Sequence, residues 1–330
     1  GNRRSGLRRA SGESGAGAHD SDGGSPAPRH SHVESPLAAA DHEGITVEPL
    51  APLADLLVEA TNTRVRQGYL CGDWLAERLP AYSSISDLIA NSSRPAITPV
   101  DARASLTHTQ LKDLIYRVDD ELKTWGVTQA GSRVGVAVPN GPELMSVLLS
   151  VIDRHTCVPV NPATTPQEMH EELRATGVVA LVYQGGSEMA VTMRKLCEKL
   201  KIVPLAITPD PNVGGLFSIS SDVDGASAGR AGPGTYAPPD SDKNRTALVL
   251  HTSGSTGKKK IVPISLHQLV LGATAIGASS GLGSDDVCLN FMPLFHVGGI
   301  CRNLLAPIFA GGITVAMPFF DADDFWQTAV

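Results

Sequence analysis

The sequence predicts an α/β protein with alternating strands and helices forming largely parallel sheet layers, and three observations carry that expectation. From about residue 83 onward, short apolar runs alternate with amphipathic stretches of roughly ten to fifteen residues. Ser or Thr followed three residues later by Glu or Gln marks helix starts, and glycines mark helix stops, between those runs. The composition, 42% apolar and 18% charged over 330 residues, is sufficient to bury a core.

The elements follow in order. Residues 1–50 are rich in Gly, Ser, Ala, Pro and Arg without an apolar period, and read as a disordered low-complexity tail. Residues 51–82 mix apolar and charged positions around Trp74 and read as an accessory helical segment. Thr107 and Gln110 form a capping-box pair ahead of Leu111, Leu114, Ile115, Val118 and Leu122 at helical spacing, with Gly126 as the stop. A strand is expected over 134–138, and Pro142 suits the first turn of a helix running through Leu148, Leu149 and Ile152. Residues 157–160 read as a strand, Thr165, Pro166 and Glu168 open a helix stopped by Gly177, and 178–183 is the next strand. A helix over 189–200 and a strand over 202–207 follow. Pro, Gly, Ser and Asp then dominate 208–245, read as a long loop or insertion. Strands over 246–250, 261–264, 287–291 and 313–316 complete the alternation, with helices from Ser265 to about Gly281, over 300–310, and from Asp321.

The charge balance, 27 basic against 34 acidic residues for a net −7, excludes a general nucleic-acid binder. The cysteines Cys71, Cys157, Cys197, Cys288 and Cys301 are odd in number and widely spaced, which argues against a disulfide framework or zinc knuckle and for a reducing compartment. The longest apolar run, 304–320, is interrupted by Pro307, Gly311, Gly312 and Pro318, so no transmembrane segment is expected. The cytoplasm is the expected location, with a peroxisomal address left open.

The densest chemical signal is His251-Thr252-Ser253-Gly254-Ser255-Thr256-Gly257-Lys258-Lys259-Lys260, directly after an apolar strand. Two glycines let backbone approach a ligand, four hydroxyls and the free N–H groups supply donors, and three lysines supply charge, a combination suited to phosphate oxygens. The plain alternative is a Ser/Gly turn beside a solvated charge run. A Walker A loop has a Gly-Lys pair five residues after its first Gly, and none falls five residues after Gly254. Because 261–264 reads as a strand, the loop joins two strands and receives no helix dipole.

These residues resemble the signature of the AMP-forming acyl and aryl adenylating enzymes, T-S-G-[ST]-T-G-x-P-K-G. Thr252 to Gly257 matches throughout and Lys260 falls on the pattern's lysine, whereas Lys259 replaces its proline and Ile261 its glycine. The resemblance continues in Leu106-Thr107-His108-Thr109-Gln110-Leu111, Pro139-Asn140-Gly141-Pro142-Glu143, Val158-Pro159-Val160-Asn161-Pro162 and Pro293-Leu294-Phe295-His296-Val297-Gly298-Gly299. It covers 83–330, as the first part of the large N-terminal AMP-binding domain. The chain stops inside the helix that Asp321 opens, so a truncated sequence with its C-terminal remainder absent is expected, unable by itself to complete adenylation.

The resemblance implies ATP-dependent activation of a small carboxylic acid to an acyl-adenylate, then thioester formation with coenzyme A or a phosphopantetheine thiol. Thr252, Ser253, Gly254, Ser255, Thr256, Gly257 and Lys260 would hold the ATP phosphates, with Mg²⁺ beside them through unknown ligands. Lys260 and His296 are the implied catalytic residues, His296 near the substrate carboxylate or, otherwise, a packed strand-end histidine. His251 reads equally as a pocket residue or a strand-end residue. The Lys259 and Ile261 departures are expected to alter loop stiffness and place an extra charge near the phosphates. Two other functions stay open: an adenylation domain of a multidomain peptide-synthetase-like enzyme with a carrier-protein partner, and a degenerate non-catalytic scaffold. A Ser–His hydrolase is disfavoured because the G-x-S-x-G matches, 225–229 and 277–281, fall in the expected loop and at the end of the helix expected from Ser265, and not in a strand-to-helix elbow.

Overall fold

A computed structural model describes residues 53, 55–57, 59–60, 75–221, 242–252 and 259–329. All of these lie in one contact unit, 47–330. The expected tail over 1–50 and much of the 51–82 segment lie outside the described residues. From that segment Leu53, Leu56, Leu57, Ala60 and Leu75 are buried in the main core.

The chain enters through strand β1 (Pro95–Pro99) and the short β2 (Leu106–Thr107). Helix α1 (His108–Thr124) follows, with the Thr107–Gln110 capping box formed in both directions. Strand β3 (Arg133–Ala137), helix α2 (Pro142–Arg154), strand β4 (Thr156–Pro159), helix α3 (Pro166–Thr176), strand β5 (Ala180–Gln184), helix α4 (Glu188–Leu200) and strand β6 (Val203–Pro209) realise the expected alternation. Gly177 ends α3 at φ 64°, in the left-handed region where an added Cβ is unfavourable. Lys201 takes the same conformation after α4 at φ 58°, without a glycine to announce it.

The expected loop over 208–245 contains a strand, β7 (Phe217–Ser220), which pairs antiparallel with β6. Phe217-Ser218-Ile219-Ser220 alternates, but four residues are too short a run to stand out among the Pro, Gly and Ser around them. Residues 222–241 lie outside the described residues.

Strands β8 (Thr246–Thr252) and β9 (Lys260–Ser265), helix α5 (Leu266–Ser280) and strand β10 (Val287–Asn290) follow. The helix expected over 300–310 is a π-helical segment, Gly299–Leu305, running into a short α6 (Ala306–Phe309). Pro307 has no N–H for the carbonyl four residues earlier. That carbonyl, on Asn303, accepts from the Thr314 hydroxyl at 3.1 Å. Strand β11 (Ile313–Ala316) and helix α7 (Ala322–Ala329) complete the described chain.

The strands form two sheets. The larger has the order β7-β6-β5-β3-β4-β8-β9, in which β6 through β8 are parallel and the two outermost strands antiparallel. The smaller has the order β10-β11-β1-β2. Its β1 was not expected, because prolines bound it at both ends and mask its apolar centre. Every residue of α2 is buried, and α2 touches strands of both sheets, as a helix apolar around its circumference should. Its buried serines bond carbonyls, Ser150 donating to that of Ser146 at 2.7 Å and Ser146 to that of Gly215 at 2.5 Å.

Two-residue alternation sorts the larger sheet's side chains. Val134, Val136, Val182, Leu248 and Leu250 pack on the α2 side, while Ala137, Leu181, Tyr183 and Val249 pack with Met169, Leu173, Met193 and Leu196 of α3 and α4. Gly135 permits the close approach of α3, since a Cβ there would meet the Leu173 and Leu181 side chains at 2.9 Å each.

Candidate active site

The parallel strands of the larger sheet all deliver their C-terminal ends to one edge, where ligands bind in open α/β sheets. At this edge β8 ends in His251 and Thr252, and β9 starts at Lys260. The register pairs Thr252 with Lys260 and His251 with Ile261. The rung formed by Thr252 and Lys260 therefore closes the stem of the hydroxyl-rich segment. Both residues are exposed. The alternation that places Leu248 and Leu250 on the α2 side places Thr252 there as well, with Lys260 beside it. An exposed ammonium and hydroxyl side by side suit an anionic oxygen ligand such as a phosphate. Ser253, Gly254, Ser255, Thr256 and Gly257 lie outside the described residues.

The opposite face of the stem is different. Lys259 bonds Glu172 of α3 through Nζ and Oε1. The second Glu172 oxygen stands 4.0 Å from Nδ1 of His251. The Glu172 and His251 side chains are 10% and 9% exposed, against 40% for Lys259. These residues, with Glu168, Glu171, Ala175 and Ile261, line a cavity of about 370 Å³. The hydrogen bond to Glu172 raises the Lys259 pKa above its ordinary value against the effect of burial. Burial lowers the His251 pKa, with Glu172 opposing and Lys259 reinforcing the shift. The extra charge expected beside the phosphates at Lys259 is thus matched by an acid on α3, on the face away from Thr252.

His296 follows β10 in the turn that opens the π-helical segment. It is exposed, its ring lies against Phe295 with centroids 4.8 Å apart, and its backbone N–H donates to the Pro293 carbonyl at 3.3 Å. Among the described residues no hydrogen bond or ion pair joins His296 to Thr252 or Lys260. The two sheets are linked at the same edge by Asn140, whose Nδ2 donates to the Met317 and Pro318 carbonyls at 3.2 and 3.0 Å. Among the described residues no group of three His, Cys, Asp or Glu is placed to hold a metal ion. No described helix is long and apolar enough to cross a membrane.

Glu172 was not legible as part of the site. It sits in a run of helix glutamates that reads as a solvated face, and its partner lies 87 positions away. The only available signal was the lysine standing at a proline position.

The fold is that of an open α/β protein with a polar rung at the C-terminal edge of its larger sheet. The sequence pattern of the AMP-binding enzymes matches residues 89–330, and the chain belongs to that family. It is 31% identical over 237 residues to an oxalate–CoA ligase of Arabidopsis thaliana, covering 69% of this chain and 43% of the relative. It is 30% identical over 199 residues to a sulfoacetate–CoA ligase of Cupriavidus necator, covering 60% and 37%. Among solved structures, apo MatB from Rhodopseudomonas palustris superposes with a TM-score of 0.61 at 21% identity, over 74% of this chain and 46% of that one. The chain spans about two fifths of the length of these curated relatives.

Proposed function

We propose that the whole protein activates a small carboxylic acid with ATP and transfers the acyl group to coenzyme A. The carboxylate attacks the α-phosphorus, the bond to the bridging oxygen breaks, and pyrophosphate leaves with that electron pair. A thiol then displaces AMP from the acyl-adenylate. The observation that carries this reading is the Thr252–Lys260 rung at the base of the Thr-Ser-Gly-Ser-Thr-Gly segment. Lys260 and Thr252 hold and orient the polyphosphate, and positioned cations and donors stabilise charge that develops on phosphate oxygens. Mg²⁺, when bound, neutralises phosphate charge. His296 contacts the substrate carboxylate from the β10 side.

Relatives named for oxalate and sulfoacetate support a small acid bearing a second anionic group as the substrate class. The four described cysteines are all unpaired, which supports a reducing cytoplasmic location. Carboxylate-dependent ATP–pyrophosphate exchange by the whole protein, across short diacids, sulfonated acids, fatty acids, aromatic acids and amino acids, tests the reading. Exchange with the short diacids or sulfonated acids is the expected result. MgATP binding without exchange for any acid would move the protein to the non-catalytic scaffold reading.

A further inference from the structure

Lys259 stands one residue before the phosphate-directed Lys260, where the adenylating pattern carries proline. Proline fixes its own φ and so stiffens the chain entering β9. Lysine supplies no such restraint, and the structure shows a different one. The Lys259 ammonium is tied to Glu172, a carboxylate whose side chain is only 10% exposed and which needs a partner at that depth. Glu172 is itself held in place. The Thr165–Glu168 capping box fixes the start of α3, and Gly135 lets α3 sit close on β3. His251, on β8 at the other end of the same stem, faces the second oxygen of Glu172. One carboxylate on α3 therefore faces both ends of the stem. Successive residues of an extended chain point to opposite faces. Drawing Lys259 toward α3 accordingly turns Lys260 toward the Thr252 face.

We propose that the Glu172–Lys259 pair is a positioning device that takes over the role of the missing proline, tethering the entry to β9 so that Lys260 is presented beside Thr252. The proposal rests on the reading of Lys260 as a phosphate-holding group. Neither Glu172 nor Lys259 contacts phosphate in this arrangement. Both act through Lys260.

The test uses the whole protein with Lys259→Ala, Glu172→Gln, the double variant, Lys259→Arg and Lys259→Pro. Two quantities are read: amide hydrogen exchange at residues 260–262 and the dissociation constant for MgATP. Each single loss of the pair should speed exchange and weaken MgATP about three- to fivefold, the scale of a half-exposed ion pair. The double variant should be no worse than the worse single variant. Lys259→Arg should stay close to wild type, and Lys259→Pro should recover affinity that Lys259→Ala loses. Additive effects, an unchanged Lys259→Ala variant, or faster exchange with unchanged MgATP affinity would each overturn the proposal. Absence of MgATP binding by the wild type would instead sink the phosphate reading, and the proposal with it.

Discussion

At the N-terminal ends of β4 and β8, Asp119, Asp153, Arg154 and His155 are buried, with Arg245 half-buried beside them. At the C-terminal end of β8, Thr252 and Lys260 are exposed. The buried group is tied together: Lys123 reaches Asp119 at 2.6 Å, and His155 Nε2 and Arg154 Nε lie 3.3 and 3.4 Å from the same carboxylate. Asp153 accepts from the Ser86 N–H at 2.8 Å, while Arg245 donates to the Ile152 and His155 carbonyls at 2.8 and 3.2 Å. Burial raises the Asp153 pKa. Burial also works to raise that of Asp119, but the adjacent His155 ring, the Lys123 hydrogen bond and the Lys123 and Arg154 charges outweigh it. Charged residues at one end of the strands thus serve the fold, and those at the other end stand open to a ligand. Residue type alone does not separate the two roles; burial and partners do.

The contrast can be broken most forcefully at Asp119. Asp119→Ala removes the buried carboxylate that Lys123, Arg154 and His155 share, leaving Lys123 the exposed Asp120 and Arg154 the neighbouring Asp153, and should cost about 3–5 kcal/mol by urea denaturation. A loss below about 1 kcal/mol would remove the distinction between the two ends. The same group gives a pH signature. Its folded-state pKa lies below the ordinary 3.8, so its stabilisation is present above that value and is lost as pH falls through the folded pKa. Asp119→Asn should flatten this acid limb in a pH series of unfolding curves, and an unaltered limb would contradict the assignment.

A smaller effect is expected at Gly135. Adding a methyl there presses on Leu173 and Leu181, so Gly135→Ala should cost about 1–3 kcal/mol by overpacking and displace α3. Because α3 carries Glu172, MgATP affinity should weaken as well; a destabilised variant with normal affinity would separate α3 from the site. Smallest is Thr165→Ala, which removes the α3 cap and should lower stability by about 1 kcal/mol. Thermal unfolding measures it, and no loss would mean that α3 is held by packing alone.

Much of the larger sheet was legible because its elements carry local signals. Thr107 and Thr165 form the capping boxes their spacing promised, Ser265 caps the helix it was expected to open, and Gly177 and Gly281 end helices in the left-handed conformation. The unread parts depend on distant partners. Strand β1 is completed by β11, more than two hundred positions later; β7, in contrast, folds back on the preceding β6 and went unread because it is only four residues long. The π-helical segment depends on Thr314 capturing the Asn303 carbonyl. Thr252 and Lys260, the proposed phosphate contacts, stand in one contiguous motif, and their pairing across β8 and β9 follows from it. The Glu172 partnership was not legible, because nothing in a helix glutamate run reveals which member faces a strand.

Lys260, at the exposed end of β8–β9, is proposed to work on phosphate and not on stability. The most direct measurement compares carboxylate-dependent ATP–pyrophosphate exchange in the whole protein with and without Lys260→Ala, alongside urea denaturation of both. Exchange should slow by about 10²-fold or more, with stability changed by less than about 0.5 kcal/mol. Exchange at the wild-type rate in the folded variant would contradict the proposal.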